Sequence, residues 1–133
     1  MSGGEEEALI EAAQAAREQA YAPYSTYQVG SALQTRSGRI YTGCNVENAS
    51  YGLTICSERV ALAKAVSEGE REFELLAICA SGAPAPCGAC RQVLYEFSPD
   101  LVLLLVDPQK KERARVDLTT LFPHAFQSSS LGI

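Results

Sequence analysis

The sequence predicts an α/β fold, a three-layer α/β/α sandwich around a mixed sheet of about five strands. Three observations lead there. Residues 73–80 and 101–106 are nearly continuous apolar runs, the pattern of strands covered on both faces. Residues 88–97 between them read as a helix, so the two strands are joined by a parallel crossover. Upstream, an alternating run over 27–35 and a second run over 40–44 flank Ser37-Gly38, which reads as a β-hairpin.

The chain opens with good helix formers over 5–21 and a stripe at Leu9, Ala13, Ala16 and Ala20, and Pro23 prevents simple continuation. This is a first, amphipathic helix. In the hairpin, Tyr27, Val29 and Leu33 alternate with Gln28 and Gln34. Residues 45–55 carry Asn, Ser and Gly without periodicity, which suits a functional loop. A second helix over 56–68 is apolar nearly all round, with Val60, Ala61, Leu62, Ala63, Ala65 and Val66, and Gly69 suits its C-terminus. It should be largely buried. Past the Asp107-Pro108 turn there is room for a short strand over 112–116, then for one helical turn capped by Asp117 and closed by Pro123. The serine-rich tail, 125–133, is expected to order on assembly.

At 133 residues the chain has room for one domain, 1–133, and one core. Its longest aliphatic run, 101–106, falls far below the roughly 20 residues of a membrane-spanning helix. Glu5, Glu6 and Glu7 lie near the start, and no basic segment followed by an apolar one marks a secretory signal, so a cytoplasmic location is the simplest expectation. The net charge is -5 and the 11 basic residues are scattered, with only Lys110-Lys111 adjacent, which argues against a nucleic-acid polymer as partner.

Five cysteines is an odd number, and in a reducing compartment clustered cysteines bind metal or do chemistry more often than they form a disulfide framework. Cys87-Gly88-Ala89-Cys90 puts two thiols three residues apart at the start of a helix, on one face. That spacing alone fits a metal grip, a redox pair or two buried cysteines equally well. Cys56 shifts the balance toward metal, because it too falls at a helix N-terminus, where backbone N–H groups favour a thiolate. A structural zinc site closes with four protein ligands. The only histidine, His124, lies in another context and receives no role; Cys44 or Cys79 could close the site, but each sits in a predicted strand. The alternative is three protein ligands and one open position, the arrangement of a catalytic zinc. Glu58 follows Cys56 in the same helical turn. In isolation it would stabilise a helix N-terminus; beside an open zinc site it becomes a general acid and base.

Cys56-Ser57-Glu58 followed by Pro86-Cys87-Gly88-Ala89-Cys90 resembles the zinc-dependent deaminase signature in its all-cysteine form. Pro23-Tyr24-Ser25, Gln28-Val29-Gly30, Gly43-Cys44-Asn45-Val46-Glu47-Asn48-Ala49-Ser50-Tyr51, Lys64-Ala65-Val66-Ser67-Glu68-Gly69 and Cys90-Arg91-Gln92 extend the likeness to roughly residues 8–126. Together they resemble the small homotetrameric cytidine deaminases. The resemblance implies Cys56, Cys87 and Cys90 as ligands of one Zn2+ per subunit and Glu58 as proton shuttle. It implies that Asn45 and Glu47 hold the ribose 3′-hydroxyl, that Tyr27, in place of a usual Phe, lies against the pyrimidine, and that the Ser57 backbone N–H meets the pyrimidine carbonyl. Ser57 itself stands where the family usually has alanine. Arg59 matches an arginine that bonds to the ligand sulfurs, and Tyr51 and Phe126 match residues that reach a neighbouring subunit's pocket. Taken without the resemblance, Asn45 and Glu47 are a solvated turn, Tyr27 a core aromatic, and Arg59 the cover of an acidic helix face.

The expected reaction is hydrolytic deamination of free cytidine and deoxycytidine in pyrimidine salvage, with no membrane or polymer partner. Two alternatives stand beside it: deamination of a cytosine-containing antibiotic of the blasticidin type, and a non-enzymatic protein held together by structural zinc.

Overall fold

Five strands form one sheet in the computed structural model, which describes residues 3–109 and 113–133. In chain order they are β1 (Gly30–Thr35), β2 (Ile40–Cys44), β3 (Phe73–Cys79), β4 (Val102–Val106) and β5 (Arg113–Asp117). Across the sheet the order is β2-β1-β3-β4-β5. Only β3 and β4 are parallel, linked by the crossover helix α3 (Gly88–Phe97); the other neighbours are antiparallel. The remaining helices are α1 (Gly3–Arg17), α2 (Ser57–Ser67) and the single turn α4 (Leu118–Leu121). The α/β sandwich and its mixed five-stranded sheet are as the apolar runs predict.

Strand alternation divides the core in two. Ala32, Leu75, Ala77, Cys79, Leu104 and Val106 face α1 and pack on Leu9, Ile10 and Ala13. Leu33, Leu76, Ile78, Leu103 and Leu105 face the other way, onto Ala61, Leu62 and Ala65 of α2 and Leu94 of α3. Each helical layer is seated by a glycine at a point of close approach. A Cβ at Gly30 would overlap the Ala13 carbonyl and Arg17 N of α1. On the opposite face, a Cβ at Gly43 would stand 2.5 Å from the Ser57 carbonyl oxygen and 2.6 Å from Ala61 N of α2.

Several boundaries differ from expectation. The first helix stops at Arg17 because the next turn tightens: Gln19 N bonds Ala16 O and Ala20 N bonds Arg17 O, three residues apart rather than four. Ile10, outside the expected stripe, is buried, while Ala16 and Ala20 are only partly so. Residues 27–29 are not strand, since the Asn45 side chain holds them in place of a ladder neighbour. Cys56 caps α2 rather than joining it. Only one side of α2 is buried; Ala63 is exposed and Val66 half-buried. The last strand begins at Arg113, and its expected start at residue 112 lies outside the described residues. Asp117 stands at the N-cap of α4 but its side chain makes no capping bond. The tail is not left without structure in the single chain: Ser128–Leu131 forms a 3₁₀ turn with reciprocal Gln127 and Ser130 capping.

Candidate active site

Two helix starts meet beyond the carboxyl end of β3. Cys56 and Cys87 are the N-cap residues of α2 and α3, both extended, with φ/ψ of -70°/152° and -66°/167°. Neither thiol caps its own helix, so both remain available to each other. Cys90 sits one turn into α3 and is buried. The three sulfurs lie within 4.8 Å of one another, and Cys56 and Cys87 approach to 3.7 Å. Among the described residues this is the one group of His, Cys, Asp or Glu side chains able to share an ion, and neither Cys44 nor Cys79 belongs to it. Arg91 fixes the approach to α3 by donating to Pro86 O at 2.7 Å and to Leu121 O at 2.6 Å.

The cluster is prepared for negative charge. A hydrogen bond from Cys90, with help from Arg59 and Cys87, brings the Cys56 thiol down to about 5 against the opposition of burial. Cys90 moves the other way, because its proton is the one Cys56 holds and because it is buried. Arg59 Nη2 stands 3.8 Å from Cys56 Sγ and 3.4 Å from Thr54 O, and its Nε is buried without a partner among the described residues. Soft sulfur donors, one already ionised, beside a guanidinium that offsets excess thiolate charge, are a donor set that fits zinc. The Arg59 geometry favours contact with the sulfurs over mere cover of an acidic helix face.

Next to the sulfurs, Glu58 occupies the first turn of α2 with 5% of its surface exposed. Burial raises its carboxyl above the ordinary glutamate range, opposed by a bond from Ser57 Oγ at 2.7 Å. Both residues, with Cys56, line a cavity of about 290 Å³ whose opposite wall includes Tyr27, Asn45 and Glu47. The notch beside it, about 210 Å³, is bounded by Tyr24 and Tyr51, whose rings are 5.8 Å apart. Ser25, Glu47 and Thr54 belong to both.

Asn45 is half engaged. Its Oδ1 accepts from Val29 N at 2.9 Å and its Nδ2 donates to Tyr27 O at 2.8 Å, which leaves one N–H and one lone pair for a ligand. Glu47 accepts from Tyr24 N at 2.9 Å, from Ser25 N at 3.1 Å and from the Ser25 hydroxyl, and these bonds hold its carboxyl below the ordinary range. Neither is a free solvated turn residue. The Tyr27 hydroxyl donates to Ser81 O at 2.5 Å, tying the pocket wall to the loop ahead of Cys87. Phe126 is the exception: it is 55% exposed and lines a separate hollow with Tyr95 and Pro99. Sequence reasoning gave no role to Ser31 and Ile78, drawn to this site by tertiary contacts that no local spacing announces, nor to Pro84 and Ala85, which directly precede Pro86-Cys87. Ser25 and Tyr24 were visible only as parts of the resemblance.

The family described as "Cytidine and deoxycytidylate deaminase zinc-binding region" matches residues 4–106. A cytidine deaminase of Sporosarcina psychrophila is 45% identical over 127 residues, 94% of this chain and 93% of its own. Another from Halalkalibacterium halodurans is 44% identical over 92% of this chain and 95% of its own. Among solved structures, the cytidine deaminase of Burkholderia pseudomallei superposes with a TM-score of 0.88 at 49% identity, covering 95% of this chain and all of that one. The Mycobacterium tuberculosis enzyme gives 0.78 at 39% identity, covering 90% and 95%.

Proposed function

Because this chain belongs to the zinc-binding cytidine and deoxycytidylate deaminases, we propose that it hydrolyses the exocyclic amine of free cytidine and deoxycytidine, yielding the uracil nucleoside and ammonia. The observation that carries this reading is a buried carboxylate, Glu58, next to three converging thiols at the base of a pocket with polar groups on its far wall. Cys56, Cys87 and Cys90 would hold the zinc. Bound there, the ion supplies Lewis acidity and makes water acidic enough to be deprotonated near neutral pH.

Glu58 takes a proton from the attacking water as oxygen adds to carbon 4, and delivers it to ring nitrogen 3. It then moves the remaining hydroxyl proton to the amine, the carbon–nitrogen bond breaks, and ammonia leaves. A carboxyl raised by burial suits this cycle, since it must both accept and return protons near neutrality. The Ser57 N–H lies in the first helical turn, has no intrahelical acceptor and is therefore free to bond the pyrimidine carbonyl. Tyr27 lies against the ring, and the spare capacity of Asn45 together with Glu47 serves the ribose hydroxyl. Arg59 offsets the charge of three thiolates.

The assembly we read for it is four copies, with Tyr51 and Phe126 reaching a neighbour's pocket. Tyr51 is 74% exposed, and an uncovered apolar groove bounded by Leu62, Val66, Val93 and Phe97 supports such contacts. A monomer mass by light scattering would contradict it. No helix among the described residues is long and apolar enough to cross a membrane. Five free cysteines support a reducing, cytoplasmic setting, and action on free nucleosides would make the role one of pyrimidine salvage. Ultraviolet assays of the purified protein with cytidine, deoxycytidine, deoxycytidylate and a blasticidin-type antibiotic test the substrate: the first two should convert fastest, and no conversion of either contradicts the proposal.

A further inference from the structure

Behind Glu58 lies a short chain of buried hydroxyls. Ser31 and Ser57 are both completely buried, their Oγ atoms are 2.6 Å apart, and Ser57 Oγ donates to Glu58 Oε1 at 2.7 Å. The chain exists because of a missing side chain. Ser31 pairs with Gly43 across β1 and β2, and bare Gly43 lets the first turn of α2 settle close enough for the two serines to meet.

Direction follows from valence. A carboxylate oxygen only accepts, so the Ser57 proton points to Oε1, and the Ser57 oxygen is left to accept from Ser31. Neither hydroxyl has another hydrogen-bond partner among the described residues. Reversing the chain would leave Ser31 donating to nothing and set the lone pairs of Ser57 Oγ against those of Glu58 Oε1 with no proton between them. Both protons therefore run toward Glu58.

We infer that Ser31 and Ser57 form a one-way relay that fixes Glu58 Oε1 as a permanent acceptor, orienting the carboxylate so that Oε2 alone exchanges protons with substrate. Ser57 and Ser31 are positioning residues here, acting through Glu58. This role of the Ser57 side chain is separate from that of its backbone N–H. The inference rests on Glu58 being the proton carrier. Without the relay the carboxylate samples orientations in which the wrong oxygen, or neither, faces the reacting atoms. Substrate binding, which uses the opposite wall and the Ser57 backbone N–H rather than its hydroxyl, should change little.

The test is a double-mutant cycle on the zinc-loaded protein with cytidine. Ser57→Ala should lower kcat about tenfold, the rate equivalent of one hydrogen bond to a charged acceptor, with KM little changed. Its melting midpoint should also fall, because Ser31 loses its partner in a buried place. Adding Ser31→Ala should raise the midpoint again without restoring kcat, since the relay passes through Ser57. A purely structural pair would instead recover turnover together with stability, and that result, or wild-type kcat in Ser57→Ala, overturns the relay. Glu58→Gln separates the two ideas: full turnover in that variant defeats the reading of Glu58, whereas lost turnover there with normal turnover in Ser57→Ala defeats the relay alone.

Discussion

The two faces of the sheet are built alike and used differently. Each receives a helix against a glycine, α1 on Gly30 and α2 on Gly43, and each buries a continuous set of aliphatic side chains. On the α1 face the buried aliphatic set is joined only by the thiol of Cys79 and, at the end of β1, by Gln34, whose amide is paired with Glu74. On the α2 face, Ser31, Ser57 and Glu58 are buried beside the aliphatics, and the sulfur cluster caps the helix starts. β1 shows both in consecutive residues, Ala32 toward α1 and Ser31 toward α2. Burying polar groups lowers stability unless each is paired, so their concentration on one face marks where stability was given up for chemistry. The α1 face supplies the rigidity against which the other is held.

Glycine substitutions break this comparison most directly. Gly43→Ala pushes the Ser57 carbonyl and Ala61 away, and a displacement of about 1 Å at Glu58 should reduce kcat about 100-fold in protein that remains folded. Gly30→Ala overlaps α1 instead, so it should lower the melting midpoint while the folded fraction keeps nearly normal kcat. Equal catalytic losses in the two would show that the faces are not distinct.

The cysteines sharpen the contrast through pH. Cys56 is lowered to about 5, so its thiolate persists from alkaline pH down to that point and is lost below it. Cys79, on the α1 face, is raised by burial and keeps its proton above the ordinary thiol range. In zinc-stripped protein, iodoacetamide should label Cys56 at pH 7 about 100-fold faster than at pH 3, on the basis of thiolate fraction. Peptide mapping should find Cys79 unlabelled throughout, and the reverse order would contradict the assignment. Zinc should protect Cys56.

Leu9→Ala removes a fully buried side chain from the α1 face and should cost about 2–5 kcal/mol in chemical denaturation, with kcat/KM of the folded protein unchanged. The smallest effect belongs to Tyr27→Phe. It deletes the bond to Ser81 O, worth about 0.5–1.5 kcal/mol, and should raise KM a few-fold at constant kcat.

What could be read from the sequence follows the same division. β3, β4 and α3 are legible because strands covered on both sides are nearly unbroken apolar runs, interrupted in β3 only by Glu74, and because a helical stretch lies between them. Cys56, Glu58, Cys87 and Cys90 were legible because their chemistry depends on position relative to helix starts, which local sequence sets. Residues 27–29 read as strand because alternation cannot reveal that Asn45, far along the chain, holds their backbone. Ser31 gave no signal for a similar reason: a serine within a strand acquires meaning only when Gly43 brings Ser57 to it. The outer side of α2 reads as buried, and in the single chain it lies open, because apolar composition records hydrophobicity and not what covers it.

Glu58→Gln is the decisive variant, because it keeps the size of the side chain and removes only its ability to carry protons. Purified with its metal content measured, it should retain about one zinc per chain, as the three-sulfur site requires, and convert cytidine at least about 1,000-fold more slowly than the parent. Zinc retained together with undiminished conversion would contradict the central claim that this buried carboxylate moves the protons of the reaction.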